Sequence, residues 1–118
     1  MRDELVYPLG EVLDSSDFLL RETILNDLQR KFVHNIHHVA EDMLQLIVAT
    51  PPELLTIERA REVFSYETRE ILSSMIGYAE VLQSEEEGEL NRTQQQYMEH
   101  IHINATELLD VITNLIDQ

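Results

Sequence analysis

The stretch NRTQQQYMEHIHINATELLDVITNLIDQ, residues 91–118, decides the fold. Met98, Ile101, Ala105, Leu108, Ile112 and Leu115 recur at steps of three and four, which places them on one face of an α-helix. Asn91, with Gln94 three positions on, has the form of a capping box, so this helix is expected to open there and run to the C-terminus. Just upstream, Ser84-Glu85-Glu86-Glu87-Gly88-Glu89 reads as a short, solvated acidic loop. Before the loop, Ile57, Ala60, Phe64, Ile71, Met75, Tyr78 and Leu82 form a second apolar stripe, with one polar turn from Tyr66 to Glu70, and predict a helix reaching about Gln83. A connection this short makes the two helices antiparallel neighbours.

Further outward, Thr50-Pro51-Pro52 interrupts the pattern, because proline has no amide hydrogen and restricts the residue before it. The same residues can open the next helix, with Thr50 as cap, Pro51 at the first helical position and Glu53 as the capping-box carboxylate. Between Phe18 and Ala49, Leu25, Leu28, Phe32, Ile36, Val39, Met43 and Leu46 share a stripe, and Leu25, Phe32, Val39 and Leu46 follow a heptad step. One long coiled-coil-like N-terminal helix is therefore expected over residues 18–50. Residues 1–17 carry Pro8, Gly10 and the cluster Asp14-Ser15-Ser16-Asp17, and read as an irregular or partly helical lead-in with Ser16 or Asp17 as a cap. The expected fold is all-α, a long antiparallel helical hairpin over residues 51–118 plus the N-terminal helix. Three such rods leave apolar faces open, so two copies are expected to close a dimeric four-helix-bundle core as a homodimer.

Composition agrees with a helical domain. Of 118 residues, 43% are hydrophobic and only three are glycine and three proline, which suits a folded, helix-rich chain. The absence of cysteine excludes disulfides, thiolate metal sites and thiol catalysis. Eight Lys and Arg against 23 Asp and Glu give a net charge of -15, which repels phosphate backbones and anionic lipid. Neither nucleic acid nor a membrane is thus expected as a partner, and a protein with a basic face is. No apolar run approaches the ~20 residues of a spanning helix. The N-terminus lacks a basic-then-apolar leader, so a cytoplasmic location is expected.

The segment FSYETREILSSMIGYAEVL, residues 64–82, resembles the phosphoacceptor box of the histidine-kinase dimerisation and phosphoacceptor (HisKA-like) family, which reads approximately F-x-x-x-S-H-E-[LI]-R-T-P-L-x-x-I-x-G-[FY]-x-E-x-L. Ser65, Glu67, Arg69, Leu72, Met75, Gly77, Tyr78, Glu80 and Leu82 match it by type or identity, with Phe64 nearer the box than the pattern puts it. Residues 90–118 resemble the family's second helix through Tyr97, Ile101, Leu108, Leu109, Ile112, Asn114, Leu115 and Asp117. The likeness covers residues 58–118, about half the chain. It implies a hairpin that pairs with itself and docks a response regulator or a sensor histidine kinase.

The departures bear on chemistry. Tyr66 stands where the family has its phosphorylated histidine, and a phenol of pKa ~10 is a weak nucleophile at neutral pH. Glu67 keeps the place of the acidic residue that assists proton transfer, with no imidazole to serve. Glu70 replaces the Thr or Asn that positions water for dephosphorylation, and would repel a phosphoryl group. Ile71 replaces the kinking proline. No Asn-rich or Asp-x-Gly-x-Gly nucleotide motif occurs, so the chain as given is not expected to be a kinase. It reads either as a stand-alone degenerate relative or as a piece of a larger kinase. The resemblance thus implies a non-catalytic signalling module of two-component type, without a cofactor. Its docking surface is expected around Ser65, Tyr66, Arg69 and Glu70, plus the facing helix near His100.

Other readings remain open from sequence alone. His34 and His38, and likewise His37 and Glu41, stand one helical turn apart, as a two-residue metal grip requires. No third ligand is evident, and a solvated polar flank is the simpler reading. His34, His37, His38 or His100 could instead accept a phosphoryl group in a phosphorelay, although Glu41 and Asp42 oppose an anion beside the first three. A purely structural or sensory bundle is the remaining alternative.

Overall fold

Asn26 and Asn91 open two helices in the same way. In each, the Asn side chain accepts the amide hydrogen of the Gln three residues on (Gln29 at 2.7 Å, Gln94 at 2.8 Å), and that Gln side chain accepts the Asn amide at 2.9 Å. The computed structural model describes residues 2–116. They form α1 (Arg2–Glu22), α2 (Asp27–Ala49), a 3-10 turn (Pro52–Thr56), α3 (Glu58–Gln83) and α4 (Arg92–Ile116), with no strand among the described residues. The all-helical expectation holds, as do the end of α3 at Gln83, the cap at Asn91 and the buried face of α4 through Met98, Ile101, Ala105, Leu108 and Ile112. The expected extension of α4 through Asp117 and Gln118 lies outside the described residues, as does Met1.

The N-terminal half differs from its expectation. Residues 2–17 are helical, because Leu5, Leu9, Val12 and Leu19 lie on one face and are wholly buried. Burying each such side chain contributes roughly 1.5–3 kcal/mol, and together they exceed the ~3 kcal/mol cost of Pro8 inside a helix. Ser16 does not cap; it lies inside α1, and its hydroxyl reaches the Leu13 carbonyl and His37 Nδ1. The long helix over residues 18–50 is divided at Thr23–Asn26 by the Asn26–Gln29 box. The heptad stripe also shifts: Val33, Ala40 and Ile47 join Ile36 and Met43 in the core, while Phe32, Val39 and Leu46 pack at its margin and Leu28 is exposed. Thr50 ends α2, its hydroxyl donating to the Leu46 carbonyl, and caps no helix after it. Pro51 precedes a 3-10 turn that has no side-chain cap, so Glu53 completes no capping box.

Short connections make successive helices antiparallel, and α1 packs on α2 and α4, as α3 does. The result is an up-down-up-down four-helix body of 46 × 22 × 19 Å. The faces expected to await a second copy are covered within the chain by α1 and α2.

The fold is also an internal repeat. Leu25, Asn26, Gln29, Ile36, His37, Ala40, Leu44 and Ile47 are identical to the residues 65 positions later, Leu90, Asn91, Gln94, Ile101, His102, Ala105, Leu109 and Ile112. Leu9, Val12, Ser16 and Leu19 are buried, as are Leu72, Met75, Ala79 and Leu82, 63 positions on. The two-residue difference is taken up in the acidic loop. The hydrogen bonds obey the same equivalence: Gln29 Nε2 donates to the Glu89 carbonyl and Gln94 Nε2 to that of Ile24, and Ile24 and Glu89 are counterparts. Two like hairpins thus clasp each other reciprocally.

Candidate functional site

The segment 64–82 lies wholly within α3, whose helix runs through Tyr66–Glu70 without interruption. Helical periodicity divides its residues between two faces. Phe64, Ser65, Thr68, Leu72 and Met75 point inward and are buried. Tyr66, Glu67, Arg69 and Glu70 point outward and are exposed. Ile71 is half-buried against the core.

Ser65 therefore does not belong to an exposed docking surface. It is fully buried and its hydroxyl has no hydrogen-bond partner among the described residues, while neighbouring Thr68 donates to the Phe64 and Ser65 carbonyls. On the outer face, the Tyr66 hydroxyl donates to Glu70 Oε1 at 3.1 Å. That hydrogen bond, and next the Glu70 charge itself, hold the phenol above its ordinary value of 10.0. The effect runs opposite to what an activated nucleophile needs. Tyr66, Arg69 and Glu70 line an open groove floored by Ser73 and Ser74, whose short side chains leave the helix surface accessible.

His100 is not part of this groove. It lies at the α1–α4 seam, where its Nε2 and Glu11 Oε2 are 2.8 Å apart, beside Phe18 stacked on Tyr97. The docking set read from the sequence thus separates: Tyr66, Arg69 and Glu70 stay together, Ser65 turns inward, and His100 belongs to another seam. The sequence reading missed Glu11, Asp14 and Ser15 beside His100, because residues 1–17 read as irregular. The repeat spacing, which places α1 in register with α3, is the signal that could have found them.

The remaining histidines stand apart from one another, with His102 3.6 Å from Glu80 on α3. His34 is exposed, His37 Nδ1 meets Ser16 Oγ at 2.7 Å with Glu41 3.8 Å from its other nitrogen, and His38 lies 3.7 Å from Asp42. Among the described residues no three His, Asp or Glu side chains converge to hold a metal ion, so His34, His37 and His38 are not drawn into a metal centre. No described helix is long and apolar enough to cross a membrane.

Fold and surface define an all-helical, internally repeated four-helix protein with an open polar groove on α3. Comparison with protein-family models, with curated proteins and with solved structures finds no match.

Proposed function

We propose that the chain is a non-catalytic signalling module of two-component type, which binds a response regulator or sensor kinase on the outer face of α3. The observation that carries this reading is the division of the box. Positions that would pack a hairpin are buried, while Tyr66, Glu67, Arg69 and Glu70 are displayed, and the displayed set lacks an activated nucleophile. The repeat supports it. In α1, Glu4-Leu5-Val6-Tyr7-Pro8-Leu9 follows the same E-[LI]-x-x-P-L order, with Asp3 where α3 has Tyr66. Both hairpins thus keep a packing pattern and neither offers histidine at the phosphoacceptor position. In this reading, one chain supplies both hairpins of a bundle that two chains would otherwise share.

The test is titration of the protein with a receiver domain from the same genome, unphosphorylated and phosphorylated. Binding is expected to weaken at least tenfold in Tyr66→Ala and Arg69→Glu, with no label transferred. Binding indifferent to both substitutions would sink the proposal, and so would labelled phosphate on His34, His37, His38 or His100.

A further inference from the structure

The repeat allows one half of the molecule to serve as a control for the other. The two hairpins meet at two equivalent seams, α1 with α4 and α3 with α2. Their cores match, but their margins do not. At the α3–α2 seam, Tyr78 packs on Phe32 with ring centroids 5.6 Å apart. At the α1–α4 seam, the counterpart of Tyr78 is Ser15, and a groove stands open there.

What lines that groove is specific to it. Glu11, Asp14 and His100 correspond to Ser74, Gly77 and Asn35, and Gln96 corresponds to Lys31, so at these positions the α1–α4 seam carries two carboxylates and no lysine, and the α3–α2 seam a lysine and no carboxylate. Ser15 is 3% exposed, lines the groove, and makes no hydrogen bond to any described residue. Its hydroxyl opens onto the groove, where a ligand acceptor or donor can meet it. Asp14 makes no ion pair among the described residues, while Glu11 holds His100 at 2.8 Å. Phe18 and Tyr97 stack at 4.2 Å, only 14° from parallel, and both line the groove beside the carboxylates.

The unpaired Asp14, Glu11 beside His100, the Ser15 hydroxyl and the Phe18–Tyr97 pair together favour a planar organic cation. A metal ion is poorly served, since no three ligating side chains converge among the described residues. An anion would face Glu11 and Asp14. A guanidinium satisfies carboxylates through parallel N–H donors and stacks on an aromatic face, which a compact ammonium does less well. The net charge of -15 draws such a group in from a distance.

We propose that the α1–α4 groove binds a guanidinium group, carried by an arginine side chain of a partner protein. The site is separate from the α3 face and does not depend on the function proposed for that face.

The experiment is an NMR titration of the isotope-labelled protein with two short peptides, identical except that one carries arginine and the other its neutral isostere citrulline. The arginine peptide is expected to shift signals of Glu11–Phe18 and Gln96–His100, and to bind at least tenfold more tightly than the citrulline peptide. The paired substitution Glu11→Gln with Asp14→Asn keeps the groove's shape and should remove that preference. Ser15→Tyr, which imports the residue closing the other seam, should block the groove, and retained helical circular dichroism will show that it folds. Tyr66→Ala should bind the arginine peptide like the parent, which separates failure here from failure on α3. Equal binding of the two peptides, shifts scattered over the acidic surface, or an undiminished preference in the Glu11→Gln, Asp14→Asn protein would overturn the assignment.

Discussion

At the scale of single residues, Tyr66 carries the clearest chemical consequence. Its hydroxyl donates to Glu70, and because only the protonated phenol can donate, the folded state holds that proton more tightly than the unfolded chain does. The sign comes from linkage. Tyr66 contributes its stabilisation fully below the unfolded value near 10.0, and loses it as the pH rises through the higher folded value. Tyrosinate absorbance should therefore show Tyr66 ionising above the ordinary range in the wild type. Glu70→Gln should return it toward that range, and Tyr66→Phe should remove the high-pH step together with its share of alkaline destabilisation. A titration unchanged by Glu70→Gln would mean that the pair does not persist in solution. Ser65 shows the complementary limit: a serine near an exposed arginine gives no sign in sequence of which face it takes, and only the register of α3 turns it inward.

At the scale of elements, the capping boxes are the most informative features of the chain. Each Gln side chain both closes its own box and donates across to the opposite loop, so Gln29→Ala and Gln94→Ala each remove a cap contact and leave a loop carbonyl without its donor. Each substitution should cost about 1–3 kcal/mol in denaturant unfolding, and the two losses should agree within about 1 kcal/mol because the sites are equivalent. Strongly unequal losses would show that the equivalence is one of sequence and not of energy. The same boxes show why the sequence was only partly legible. Asn91–Gln94 comes after a glycine-containing acidic loop, and its meaning as a helix start is plain. Asn26–Gln29 has identical chemistry, but it sits within the heptad of Leu25, Phe32, Val39 and Leu46, and hydrophobic periodicity alone runs straight across it. Likewise Pro8 and Gly10 signal irregularity by local propensity, and burial of Leu5, Leu9 and Val12 overrides them. The shared exposed face of Tyr66, Arg69 and Glu70 was legible because it follows from the periodicity of one helix. The groove at His100 was not, because it needs α1, an element visible only once tertiary packing is known.

At the scale of the whole molecule, the repeat brings two hairpin faces together within one chain. A lone hairpin of two long helices exposes one apolar face, and in a single-hairpin chain a second copy must cover it. Here the covering face belongs to the same chain: Leu9, Val12, Ile36 and Met43 of the first hairpin share one core with Leu72, Met75, Ile101 and Leu108 of the second. Covalent linkage replaces a bimolecular association with an intramolecular one, so bundle closure no longer depends on concentration. The full chain should accordingly scatter light as a monomer of 13.8 kDa across a wide concentration range. The isolated second hairpin, residues 58–116, should behave differently. With α1 and α2 removed, Leu72, Met75, Ile101 and Leu108 lose their cover, and pairing with a second copy can restore a core of the same layered kind. Its mass should be that of a dimer at high concentration, its helicity should fall on dilution, and adding the first hairpin as a separate peptide should displace the self-pair into a heterodimer. A 58–116 fragment that stays monomeric and helical on dilution would show that the hairpin does not need a partner face. A full chain that dimerises would show that copies meet through a surface other than the shared core.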